Sequence, residues 1–181
     1  MTHPIDTLNS LDSMEKDWEV RSFPNAMPLS PSAKIYCNGK VTVQPFLTYD
    51  GSIFLDEGSF IGPYVFMRGP IYVGKNSSIG PYSEIKRSYI MNNVAIAHRN
   101  IIPDSVLGEN AWFAGGVMIT NLRIDKKPIK VTWDGVEKVG DRFGIFADHD
   151  SILGVGVVAM PGTCVTARTT VYGPTAIKGV V

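Results

Sequence analysis

Counting in sixes from Cys37 meets Val43, Tyr49, Leu55, Ile61, Met67, Val73, Ile79 and Ile85, an unbroken apolar series. In a chain that is 44% hydrophobic, such a run in one frame arises by chance about once in a thousand. The positions four residues on, among them Val41, Leu47, Ile53, Ser59, Val65 and Ile71, are mostly small or β-branched. The phase slips by one residue to Ile90, Ile96 and Ile102, slips again to Leu107, and runs on through Phe113 and Ile119. It returns as Ala147, Leu153, Ala159, Val165, Val171 and Ile177. A helix repeats at 3.6 and a flat strand at 2, so neither sustains a six. A short strand plus a corner does, and three such units close a triangular coil of 18 residues. Coils stacked about 4.8 Å apart bury their apolar faces on one another. The expected fold is all-β: a single-stranded left-handed parallel β-helix of hexapeptide repeats. Its crossovers run against the usual right-handed rule. A β-sandwich would instead place its turns irregularly, every 8 to 12 residues or so. Gly62, Gly74, Gly80, Gly108 and Gly154 each follow an inward apolar residue, where a corner needs a small or left-handed residue. The 18 glycines and 12 prolines suit a chain this dense in turns.

Two stretches fall outside the repeat. Residues 1–36 are polar and Pro-rich, with a helix-like run from Asp12 to Trp18, and read as an N-terminal extension or linker. The β-helix domain then covers 37–181 and carries an inserted loop over 121–146, marked by Lys126-Lys127-Pro128 and Trp133-Asp134-Gly135. A loop of that length inside a compact domain is usually functional. Seventeen basic and seventeen acidic residues cancel, which argues against nucleic acid as a partner. No apolar run is long enough to span a membrane. The first residues lack the basic flank and apolar run of a secretory signal. Cys37 and Cys164 are far apart and outside any CxxC, so they read as free thiols of a cytoplasmic protein. The only histidines, His3, His98 and His149, show no paired ligand spacing, and no metal is expected.

Four segments occur in a fixed order: Ser83-Glu84-Ile85-Lys86-Arg87-Ser88, Ile96-Ala97-His98-Arg99-Asn100, Asp104 to Asn110, and Asn121 to Lys127. Together they resemble the C-terminal acyltransferase domain of the bifunctional sugar-1-phosphate nucleotidylyltransferase/acetyltransferases. The similarity runs from about residue 50 to the end. The nucleotidylyltransferase domain and its Gly-rich loop are not in this sequence, so no pyrophosphorylase activity is expected of it. The resemblance implies a homotrimer that moves an acetyl or other acyl group from acetyl-CoA to a phosphorylated or nucleotide-linked (amino) sugar. It places the catalytic base on His98 and acceptor binding on Arg68, Lys86 and Trp112. The acetyl-CoA side falls on Gly115, Asn121 and Lys127. Two positions depart from the family: Ile101 stands where a tyrosine is expected, and Trp112 where an asparagine is. They keep a second reading open, a catalytically impaired β-helix that oligomerises or regulates a separate sugar nucleotidylyltransferase.

The residues add their own argument. Arg68 and Lys86 lie 18 residues apart with no slip between them, so one coil stacks them along the axis. Like charges that close repel unless an anion such as phosphate sits between them. His98, two sides later, falls on another corner, so a site using all three is easier to build between two prisms. Tyr64, Tyr82 and Trp112 are expected at outward or corner positions, packing a subunit interface or stacking on a ligand.

Overall fold

The computed structural model describes residues 2–14 and 17–181. The chain winds through three faces in turn. The first face stacks Lys34–Cys37, Ser52–Leu55, Ile71–Val73, Tyr89–Ile90, Val106–Leu107, Ile145–Ala147 and Thr163–Val165. The second runs from Thr42–Val43 through Phe60–Ile61, Ser78–Ile79, Ala95–Ile96, Trp112–Phe113 and Ile152–Leu153 to Thr170–Val171. The third starts at Met27–Pro28 and includes Phe66–Arg68, Glu84–Lys86, Ile101–Pro103 and Met118–Ile119. Pairing between successive coils is parallel throughout, with Ile85 opposite Met67 and Ile79 opposite Ile61. The parallel β-helix expected from the period of six is therefore the fold observed. The first parallel strands lie at Met27 and Lys34, so the solenoid already begins within the stretch read as an extension.

The six-residue series is the core. Leu55, Ile61, Met67, Val73, Ile79, Ile85, Ile90, Leu107 and Phe113 are fully buried inside the prism. Each such side chain contributes about 1.5–3 kcal/mol of burial. Both phase slips fall at the corner between the third and first faces. There Arg87 and Asp104, with positive φ, turn the chain in one residue fewer than Gly69-Pro70 does below them. Ser88 completes the tight corner: its hydroxyl donates to the Lys86 and Ile102 carbonyls and accepts from the Ser105 N–H.

The corner glycines serve a different need from the one expected. Gly80 and Gly108 are not left-handed; a Cβ on them would lie 2.4 Å from the Ala97 carbonyl oxygen and 2.6 Å from the His149 nitrogen. They are small because the next coil passes there. The left-handed residues stand two places later and are often Asn or Tyr.

The outer side of the first face is covered by the chain itself. Tyr36 stacks on Phe54 at 4.8 Å between ring centroids, Tyr72 packs at a tilt against Tyr89 at 4.8 Å, and Trp18 meets Phe54 edge-on. Higher up, Val106, Phe146 and Cys164 lie beneath two added elements. One is an antiparallel hairpin, Ile129–Trp133 with Val136–Gly140, which gives the 121–146 insertion a structure of its own. The other is a helix, Pro4–Asn9, continued by a tight turn over Ser10–Ser13. The helix thus sits earlier than the expected Asp12–Trp18 run, of which Glu15 and Lys16 lie outside the described residues. His3 explains the position: its Nδ1 caps the Ile5 N–H, and Pro4 occupies the first turn, where no N–H is needed. Ile5, Leu8 and Leu11 then form one apolar stripe against the hairpin and the first face. Among the described residues, no helix is long and apolar enough to cross a membrane.

Candidate functional site

Each coil passes from the second face to the third through a two-residue turn. Its second residue has a positive φ: 57° at Tyr64, 59° at Tyr82, 58° at Arg99 and 71° at Gly116. The first residue is Pro63, Pro81, His98 or Gly115. Proline followed by a left-handed residue is the type II pattern. The coils are tied together here by the second residue's N–H, which donates to the first residue's carbonyl one coil below. Arg99 N–H reaches Pro81 at 3.0 Å and Gly116 N–H reaches His98 at 3.0 Å. The first residue's own N–H is left out of this ladder. In Pro63 and Pro81 it does not exist; in His98 and Gly115 it does, and no hydrogen bond among the described residues uses it.

His98 is exposed on this corner, and its imidazole lies across Gly115. A Cβ there would stand 2.9 Å from Nε2. Gly115 is not left-handed, so its smallness serves the histidine ring and not the backbone. The chain after His98 is pinned by buried Asn100, whose side-chain carbonyl accepts the Val117 N–H at 2.8 Å. Beneath this level the corner carries a column of exposed rings. Phe46 stacks on Tyr64 at 4.9 Å and Tyr64 on Tyr82 at 5.1 Å. Trp112 and Ile101 flank the corner on the second and third faces, both pointing outward and exposed.

Arg68 and Lys86 are stacked in register, one coil apart, as their spacing requires. Each is answered by a carboxylate of the same chain. Arg68 pairs with Glu84 and leans over the Phe66 ring, while Lys86 Nζ stands 3.2 Å from Asp104 Oδ2. Asp104 is buried and also accepts from Asn121, with Arg87 at 3.6 Å. Asn121 is thereby drawn into the Asp104 cluster, while Lys127 is exposed on the loop beyond. Neither carboxylate was singled out from the sequence, although Asp104 lies one coil beyond Lys86 and Glu84 two residues before it. Lys86 sits at the third-to-first corner, the opposite end of the third face from His98, so one subunit does not bring the two together.

Where the loop leaves Thr120, a groove of about 590 Å³ is lined by Leu122, Ile124, Met160, Pro161 and Lys178. Arg123 and Asp125 pair at 2.6 Å, which holds the Asp125 carboxyl down at about 2. Both cysteines are buried, and burial pushes the Cys37 thiol up to about 11 and the Cys164 thiol to about 12. Cys164 does face outward from its strand, but it is covered by the helix and hairpin. Neither thiol is a ready nucleophile. His149 turns its Nδ1 to Asp148 at 3.1 Å. Among the described residues, no three His, Cys, Asp or Glu side chains converge as a metal site would require.

No protein-family model matches the chain. It is 33% identical over 91 residues to a bifunctional sugar-1-phosphate nucleotidylyltransferase/acetyltransferase of Sulfurisphaera tokodaii, covering 49% of this chain and 23% of that protein. It is 30% identical over 173 residues to the bifunctional protein GlmU of Methanococcus vannielii, covering 85% of this chain and 41% of the relative. The chain therefore spans well under half the length of these homologues. An uncharacterised Escherichia coli acetyltransferase, YaiX, is 33% identical over 89 residues, covering 48% of this chain and 39% of that protein. Among solved structures, a hexapeptide transferase family protein from Anaplasma phagocytophilum aligns with a TM-score of 0.47 at 16% identity, over 86% of this chain and 78% of that one.

Proposed function

We propose that this protein is a CoA-dependent acyltransferase, acting with acetyl-CoA on a phosphorylated or nucleotide-linked sugar, and that it works as a homotrimer. The observation that carries this reading is the corner at His98: an exposed imidazole held over a glycine, beside backbone N–H groups outside the ladder. The homologues named as acetyltransferases give the same reaction class. In the proposed step, neutral His98 takes the proton from the acceptor's amine or hydroxyl as that atom attacks the thioester carbonyl. The His98 and Gly115 N–H groups are the available donors for the oxyanion. The carbon–sulfur bond then breaks, and the imidazolium returns its proton to the departing thiolate. The groove lined by Leu122 and Ile124 suits the apolar arm of CoA, and Lys127, exposed farther along the same loop, is the partner assigned to its phosphates. Ile101 and Trp112 offer contact area and no acceptor-side hydrogen bond beyond the Trp112 indole N–H.

The neutralised Arg68 and Lys86 favour the second reading, a β-helix that only assembles with or regulates a nucleotidylyltransferase. Calorimetric titration with acetyl-CoA separates the two. An enzyme binds it saturably, one molecule per subunit. A scaffold gives no heat of binding, and that result rejects the transferase.

A further inference from the structure

Resting on that reading, we propose that Arg99, the residue after His98, holds the acceptor's phosphate group in place of the Arg68–Lys86 pair. Two observations at the second-to-third corner converge on it: an unpaired guanidinium and a change in the shape of the corner. The Arg99 guanidinium has no hydrogen-bond or ion-pair partner among the described residues, whereas Arg68, Lys86 and Arg87 each have a carboxylate. Its backbone is left-handed, φ 58°, a conformation that costs an arginine roughly 1–2 kcal/mol and a glycine nothing. Every coil puts a left-handed residue at this position, Phe46, Tyr64 and Tyr82 below and Gly116 and Gly156 above, so Arg99 stands where the rings end and the glycines begin.

The corner also changes shape at Arg99. Below it the rings of Phe46, Tyr64 and Tyr82 fill the ridge. Above it the ridge stops, for nothing lies within 4 Å of where a Gly116 side chain would begin. A notch is left, with His98 over Gly115 on one side and Arg99 beneath. The two residues' Cα atoms are about 3.8 Å apart. A single phosphorylated sugar can therefore present its nucleophile to the imidazole and its phosphate to the guanidinium. Arginine suits the task because its fork of N–H donors matches phosphate oxygens.

The chain has three histidines, so the Cε1–H resonance of His98 can be assigned with His98→Gln and followed by NMR while inorganic phosphate is added. The expected result is a saturable shift of His98 in the native protein and in Lys86→Gln. In Arg99→Gln the apparent affinity should fall at least about tenfold, the loss of one charge-assisted phosphate contact, and Arg99→Lys should recover part of it. An unmoved His98, or an equal shift in Arg99→Gln, overturns the proposal. In transfer assays, Arg99→Gln should raise KM for a phosphorylated acceptor and leave KM for acetyl-CoA alone. A rise confined to acetyl-CoA would assign Arg99 to the CoA phosphates and overturn the acceptor assignment. A protein that transfers nothing yet shows the phosphate shift would refute the transferase and leave the anion site standing.

Discussion

At the scale of single residues, position 115 isolates what the His98 corner requires. Gly115 has no left-handed φ, so alanine there meets no backbone penalty, and its Cβ would press on His98 Nε2 from 2.9 Å. That atom is the far end of a mobile side chain and can swing aside. Gly115→Ala should therefore keep or slightly raise thermal stability while lowering the acyl-transfer rate about a hundredfold, the penalty for displacing a catalytic group by about 1 Å. Paired melting curves and turnover rates check this; an unchanged rate would mean that the ring's place over Gly115 is irrelevant. His98 was legible in the sequence as a corner residue, and Gly115 entered only through the family resemblance. Arg99 was not singled out, because nothing local says whether a basic residue will find a carboxylate. Arg68 and Lys86 show the converse: their stacking followed from the 18-residue spacing, but Glu84 and Asp104 reach them across the ladder from neighbouring strands.

At the scale of elements, the three faces of the prism meet different fates. The first face carries Tyr36, Phe54, Tyr72, Tyr89 and Phe146 outward, and the chain covers them with Trp18, the N-terminal helix and the inserted hairpin. The Lys138–Asp6 ion pair at 2.5 Å joins the two covering elements, and Arg87 ties the turn after the helix to the solenoid through Asp12 at 2.7 Å. Among the described residues, none covers the second and third faces in this way. Tyr82 is 60% exposed, Trp112 48% and Met118 45%, all around the His98 corner. An apolar ridge of this kind suits burial against other copies of the chain. Light scattering should return about three times 19.8 kDa; a monomer at micromolar concentration would remove the second wall that the His98 corner needs. The period of six made the solenoid readable because the pattern states which side chains point inward. The helix over Pro4–Asn9 and the hairpin were not readable in the same way. Their partners are the outward residues of the first face, on which the repeat places no constraint.

At the scale of the whole molecule, fold and chemistry divide along one line. The inward residues of the coils build a rigid prism from a repeat, and the groups assigned to chemistry and binding lie on the corners, the outer faces and the inserted loop. Within one subunit Lys86 and His98 stand at opposite ends of the third face, so a site using both draws on two prisms. Arg99 keeps anion and base on one corner, which lets a neighbour supply only a wall. Both arrangements rest on His98 as the base. The direct test is the rate of acyl transfer from acetyl-CoA by the native protein and by His98→Ala, on an acceptor that the native protein uses. His98→Ala should fall roughly a hundredfold to ten-thousandfold, the usual contribution of a general base, with acetyl-CoA affinity little changed. Equal rates would make His98 a turn residue and contradict the site described for this corner.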